Sequence, residues 1–190
     1  MPTIRRLLAA LVAVVVTVGL VAPADAHPRR ADRVTVVVDV QGHMGEGARS
    51  AVSMWSGAQD HVRLTLADRC PRRGECIVIT EVWDAWPGYT LDGIQYGGWS
   101  ERDGRRCEVG LPGVLGSPAL VRRWDAMLHA AGASRHEISA EQWPAYAVSG
   151  HEIGHCLGLP DRDSGAGVMA PLGDLTLSAE DHAALDARDE

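Results

Sequence analysis

Two periods of hydrophobicity run along the chain and sort it into elements. Residues 34–40 (VTVVVDV) are a β-branched apolar run, the pattern of a buried strand. Residues 62–66 (VRLTL) alternate apolar and polar side chains, as a half-buried strand does. Residues 77–82 (IVITEV) and 107–111 (CEVGL) predict further strands. Residues 94–99, short and carrying two glycines, predict an edge strand. Helical spacing recurs at 48–58, with Val52 and Trp55 on one face, at 118–131 and at 144–157. Pro144 suits the first turn of the third helix, and Gly158 its C-terminal stop. A last helix is predicted over 178–187, with Ser178 as cap and Asp181 at the capping-box position. The segments between read as turns and loops: the glycine-rich 42–47, 83–92 with Pro87 and Gly88, the charged 101–105, and 112–116. No repeat, linker or low-complexity tract interrupts this order, which predicts one α+β domain.

The first 26 residues carry a different pattern. Arg5 and Arg6 precede an apolar run over 7–22, and Ala24-Asp25-Ala26 follows as an A-x-A cleavage site. This order predicts a secretory signal peptide over 1–26, a chain beginning at His27, and a secreted, extracellular location. The run is shorter than the ~20 residues that span a bilayer comfortably, so no membrane attachment is expected after cleavage. Cys70, Cys76, Cys107 and Cys156 suit an oxidising compartment. A local Cys70–Cys76 bridge across the Pro-Arg-Arg-Gly loop is the first expectation, which leaves Cys107 with Cys156. A free buried thiol is the alternative for Cys156.

Composition narrows the classes further. A chain that is 46% hydrophobic and 23% charged is globular, which excludes a disordered protein. Its net charge of -7 argues against nucleic acid or anionic lipid as partners, because phosphate binding needs a basic surface.

Candidate chemistry concentrates on the third helix. His151 and His155 are four residues apart, share a helix face and can point at one ion. Glu152 sits beside the first of them and can take a proton from a water that the ion acidifies. Gly158 can take the positive φ that turns the chain sharply after the helix. Asp161 then falls ten residues after His151, where a third ligand could swing back to the ion; Asp163 is its rival. Two histidines and one carboxylate leave a position open, as a catalytic zinc site requires.

The string His151-Glu152-x-x-His155-x-x-Gly158-x-x-Asp161 resembles the extended zinc motif of metzincin proteases. Aspartate as the third ligand is similar to the snapalysin family of small secreted bacterial proteases. Val168-Met169-Ala170-Pro171 resembles the metzincin Met-turn, at a distance from His151 similar to that in matrixins. Residues 48–66 resemble the first helix and second strand of the matrixin body. The resemblance implies a five-stranded twisted mixed sheet packed on a first helix and a zinc-binding active-site helix. It also implies one antiparallel edge strand with substrate along it, and 94–99 is the candidate. Residues 27–190 would then be a monomeric zinc endopeptidase acting on protein or peptide substrates. One catalytic Zn²⁺ would be held by His151, His155 and Asp161, with Glu152 as general base. Some features depart from the resemblance. Residues 114–143 are longer than a short metzincin needs, and no Tyr follows the Met-turn. Matrixin calcium loops have no clear counterpart, although Asp84, Asp92 and Asp103 leave Ca²⁺ binding open.

Two other readings compete. The first is an exported zinc-binding or adhesion module with a metzincin body and no turnover. The second is a zinc amidase acting on cell-wall peptides, which no cell-wall-binding repeat supports. Glu152 separates the first from catalysis, because a binding-only protein has no use for a carboxylate beside the ligand. His129, His136 and His182 read as surface or helix residues and Trp55 as core. Trp83, Trp86 and Trp99 read as either core or substrate-contacting aromatics.

Overall fold

The apolar runs become the centre of a sheet. The computed structural model describes residues 32–57, 62–91, 93–130, 138–163, 167–170 and 176–187. The expected signal segment 1–26, Asp92, His136 and Pro171 lie outside the described residues. β1 (Asp32–Asp39) pairs in parallel with β2 (Val62–Leu66) on one side and β3 (Glu75–Val82) on the other. β3 pairs in parallel with β7 (Arg106–Pro112), and β6 (Trp99–Asp103) closes that side antiparallel to β7. The order is β2-β1-β3-β7-β6, a five-stranded mixed sheet in an α+β fold. β3 is buried at four consecutive positions, 76–79, which is why its sequence is a continuous apolar run.

Helices cover the sheet. α1 (Gly42–Gly57) packs on β1 and β2, and α3 (Trp143–Cys156) packs on β7 and β6. The two helices also pack on each other, and Trp55, 1% exposed, donates its indole N–H to the Gly150 carbonyl at 2.9 Å. α2 (Pro118–Ala130) buries Leu120, Trp124 and Leu128, and α4 (Ala179–Asp186) carries the expected capping box of Ser178 and Asp181. No helix among the described residues is long and apolar enough to cross a membrane. Both expected disulfides, Cys70–Cys76 and Cys107–Cys156, are present.

Three sequence expectations need correction. Residues 42–47, read as a turn, are the first turns of α1. Gly45 and Gly47 serve close approach rather than a loop, since a Cβ there would collide with the Val40 carbonyl and with the Gln142 carbonyl at the start of α3, respectively. Residues 86–91, read as loop, form β4 (Trp86–Leu91), which pairs antiparallel with β5 (Ile94–Gly97). Pro87 is tolerated because the ladder shifts register between Trp86 and Thr90. The edge strand is therefore not 94–99 but β6, part of which was read as a charged turn. Its sequence, WSERD, carries the charge that protects a sheet edge from pairing with other chains, and that charge hides it from a hydrophobic pattern.

The two bridges close loops of very different length, with sequence separations of 6 and 49. On chain-entropy grounds, replacing Cys107 and Cys156 by Ser should cost about 4 kcal/mol, against about 2 kcal/mol for Cys70 and Cys76. Urea unfolding of the two double variants measures this, and an equal loss would show that the longer bridge does not act by restricting the unfolded chain.

Candidate metal centre

α3 is buried on most of its circumference, from Trp143 through Cys156, with His151 and His155 only partly covered. It ends in a Schellman turn. Gly158 takes φ 88°, its N–H donates to the His155 carbonyl at 2.8 Å, and the Leu159 N–H donates to the Gly154 carbonyl at 2.9 Å. This reversal presents the Leu159 carbonyl to His155 Nδ1, 2.9 Å away, and sends Asp161 back across the helix face. His151 Nδ1 lies 3.0 Å from the carbonyl of Val168. Residues 167–170 dock against α3, where Met169, 2% exposed, packs against Gly154.

A carbonyl can only accept, so each Nδ1 donates to its own main-chain carbonyl and each Nε2 is left to face the other ring and Asp161. Those two Nε2 atoms stand 3.1 Å apart. Asp161 Oδ1 lies 3.0 Å from one and 3.3 Å from the other. Two imidazole nitrogens and a carboxylate oxygen thus converge on one point. His151, His155 and Asp161 could hold a metal ion, and among the described residues no other such group occurs. Asp163 is exposed and stands outside the group, as do Asp84, Asp103, His129 and His182.

His151, His155 and Asp161 open onto a cleft of about 890 Å³. Its walls are β6 residues Trp99, Ser100, Glu101 and Arg102 on one side, α3 on another, and Asp84 with Ala85 from the segment after β3. Glu152 lines the cleft yet is 5% exposed. Burial pushes its carboxyl up from the usual carboxylate range, and the Asp161 carboxylate adds to that. The His151 and His155 imidazoles and a hydrogen bond with Ser100 pull the other way. Arg102 donates to the Cys156 carbonyl at 2.7 Å and pairs with Glu75 at 3.3 Å, which ties the edge strand to the C-terminal end of α3. Of the tryptophans, Trp55 is core, Trp99 lines the cleft and Trp83 is fully exposed beside Asp84.

His151, His155 and Asp161, named from the sequence, are brought together with Glu152 beside them, but what orients them has no sequence signal. The Leu159 and Val168 carbonyls carry no side-chain signature. Ser100 and Arg102 sit on β6, of which residues 101–103 read as a turn. Comparison with models of known protein families gives no match, and comparison with curated proteins gives none either.

Gly98 joins β5 to β6 at the cleft wall. A Cβ there would stand 2.6 Å from Val148 Cγ1, 2.9 Å from the Gly110 carbonyl oxygen and 3.3 Å from Glu152 Cγ. Gly98→Ala should therefore destabilise the fold by about 1–3 kcal/mol, the usual cost of overpacking. Thermal unfolding checks this, and an unchanged midpoint would mean that the wall yields freely.

Proposed function

We propose that the chain is a secreted zinc endopeptidase of the metzincin type, similar to the snapalysins. The observation that carries this reading is the convergence of two imidazole nitrogens and a carboxylate oxygen on one point. Their spacings of 3.0, 3.1 and 3.3 Å suit a small ion. Tetrahedral zinc with bonds of about 2.0–2.1 Å keeps its donors about 3.3–3.4 Å apart. Two imidazoles and a carboxylate are also a donor set that zinc accepts, with a position left for substrate. Zinc bound there supplies a Lewis acid and lowers the pKa of the attacking water.

The rest is the work of the chain itself. Glu152 takes a proton from the attacking water and can return it to the departing amine. Its burial keeps bulk water from competing for that proton, and Ser100 holds the carboxyl in place. β6 is the last strand of its sheet, so an extended peptide can add to its free edge and lie across the cleft toward His151 and His155. A carboxylate kept buried beside the ligands favours catalysis over a binding-only module, in which it would be a cost without a use. Two disulfides are compatible with the secreted location implied by residues 1–26.

Glu152→Gln should retain one zinc per chain and lose activity on casein or gelatin by about 10²–10⁴-fold, the usual contribution of a general base. Near wild-type turnover by that variant would overturn the mechanism. Asp161→Ala should lose zinc on dialysis, Asp161→His should recover part of it, and Asp163→Ala should keep it. Zinc retained by Asp161→Ala but lost by Asp163→Ala would reverse the ligand assignment.

A further inference from the structure

Asp181, on the first turn of α4, is 1% exposed and gathers donors from three segments of the chain. Its Oδ2 accepts the Ser178 N–H at 2.8 Å, the Ser178 hydroxyl at 3.0 Å and the Val168 N–H at 3.2 Å. Its Oδ1 accepts Arg162 Nη2 at 2.8 Å. A helix cap accounts for the Ser178 contacts and for nothing else. The other two donors come from the segments that build the metal site. Arg162 directly follows Asp161, and Val168 supplies the carbonyl that fixes the His151 proton. Those segments are also tied to each other, since the Arg162 N–H donates to the Met169 carbonyl at 3.0 Å. Gly167 makes the approach possible, because a Cβ there would collide with Asp181 Oδ2.

Asp161 needs such an anchor. It lies in no helix or strand, and its side chain is 64% exposed. The turn at Gly158 constrains it from one side, and Arg162 from the other. A carboxylate as buried as Asp181 is stable only with its partners complete, so the contact is rigid rather than one of several alternatives.

We propose that Asp181 is a positioning residue of the metal site, acting through Arg162 on Asp161 and through Val168 on His151. The proposal rests on the reading of His151, His155 and Asp161 as metal ligands. Partners that orient ligands from outside the coordination shell change metal affinity by about 10–100-fold when removed.

The test compares zinc affinities of the full chain by competition with a chromophoric chelator. Asp181→Asn and Arg162→Met should each bind zinc about 10–100-fold more weakly, and Arg162→Lys should recover part of the loss. Leu185→Val loosens the packing of α4 without touching the carboxylate, and it should lower the unfolding midpoint while keeping wild-type affinity. Imidazole ¹⁵N shifts of the metal-free protein supply a second readout. The wild type should show His151 protonated on Nδ1, and Asp181→Asn should show a mixture of tautomers. If Asp181→Asn loses no more affinity than Leu185→Val, Asp181 is a helix cap alone and the proposal falls. If Asp181→Asn fails to fold, the Arg162 variants decide by the same comparison. Wild-type protein that binds no zinc overturns the ligand assignment along with this proposal. Wild-type binding that the Arg162 and Asp181 variants match overturns this proposal alone.

Discussion

His151 and His155 each give the Nδ1 proton to a main-chain carbonyl, and the chemistry open to the pair follows from where those protons go. With their Nε2 atoms 3.1 Å apart, the two rings have an obvious alternative. One ring could place its proton on Nε2 and donate it to the other, which would satisfy both rings and leave nothing for a cation. The carbonyls of Leu159 and Val168 remove that option, because an acceptor facing Nδ1 holds the proton there. Neither carbonyl belongs to α3. One is delivered by the reversal at Gly158, and the other by the turn at 167–170 docked against Gly154. A helix with two histidines four residues apart is therefore not yet a candidate metal site; the chain beyond the helix makes it one.

The same logic explains how the C-terminal turn of α3 is fastened. Cys156, next to His155, is bridged to Cys107 on β7, and its carbonyl accepts from Arg102 on β6. Both attachments come from the two strands that wall the cleft. The helix end carrying His155 is thus fixed to β6, and on the proposed reading a peptide lying on β6 would hold a set height above the imidazoles. Glu152 sits between these attachments and Ser100, with its burial offset by a hydrogen bond and by the nearby imidazoles.

What the sequence reveals of this depends on which groups carry the information. The central strands are legible because burial demands apolar side chains: Val34, Val36, Ile77 and Ile79 could not be loop residues. The edge strand is not legible, because its side chains face solvent and its identity lies in backbone pairing with β7. The start of α1 is hidden for another reason. Gly45 and Gly47 read as turn residues, although they sit inside a helix because backbone from Val40 and from the start of α3 passes too close for a Cβ. At the site, the meeting of His151, His155 and Asp161 is legible because helix period and a glycine stop fix the geometry locally. The orienting carbonyls are not, since every residue has one and only the tertiary fold selects which is used.

Charge explains why a carboxylate suits the third position. On the proposed reading, a divalent ion with two neutral imidazoles and Asp161 keeps a single positive charge. Glu152 is buried in the same cleft, and a positive centre beside it favours its carboxylate form. Opposite charges matched in this way lower the cost of burying that acid. A third imidazole in place of Asp161 would leave the centre doubly positive beside one carboxylate. The acids that line the cleft beyond Glu152 and Asp161, Asp84 and Glu101, are exposed residues. Exposed charges are screened and offset little of a buried one. On the proposed reading, the carboxylate ligand and the buried acid beside it therefore act as one electrostatic unit, to which the acids at the cleft rim add little.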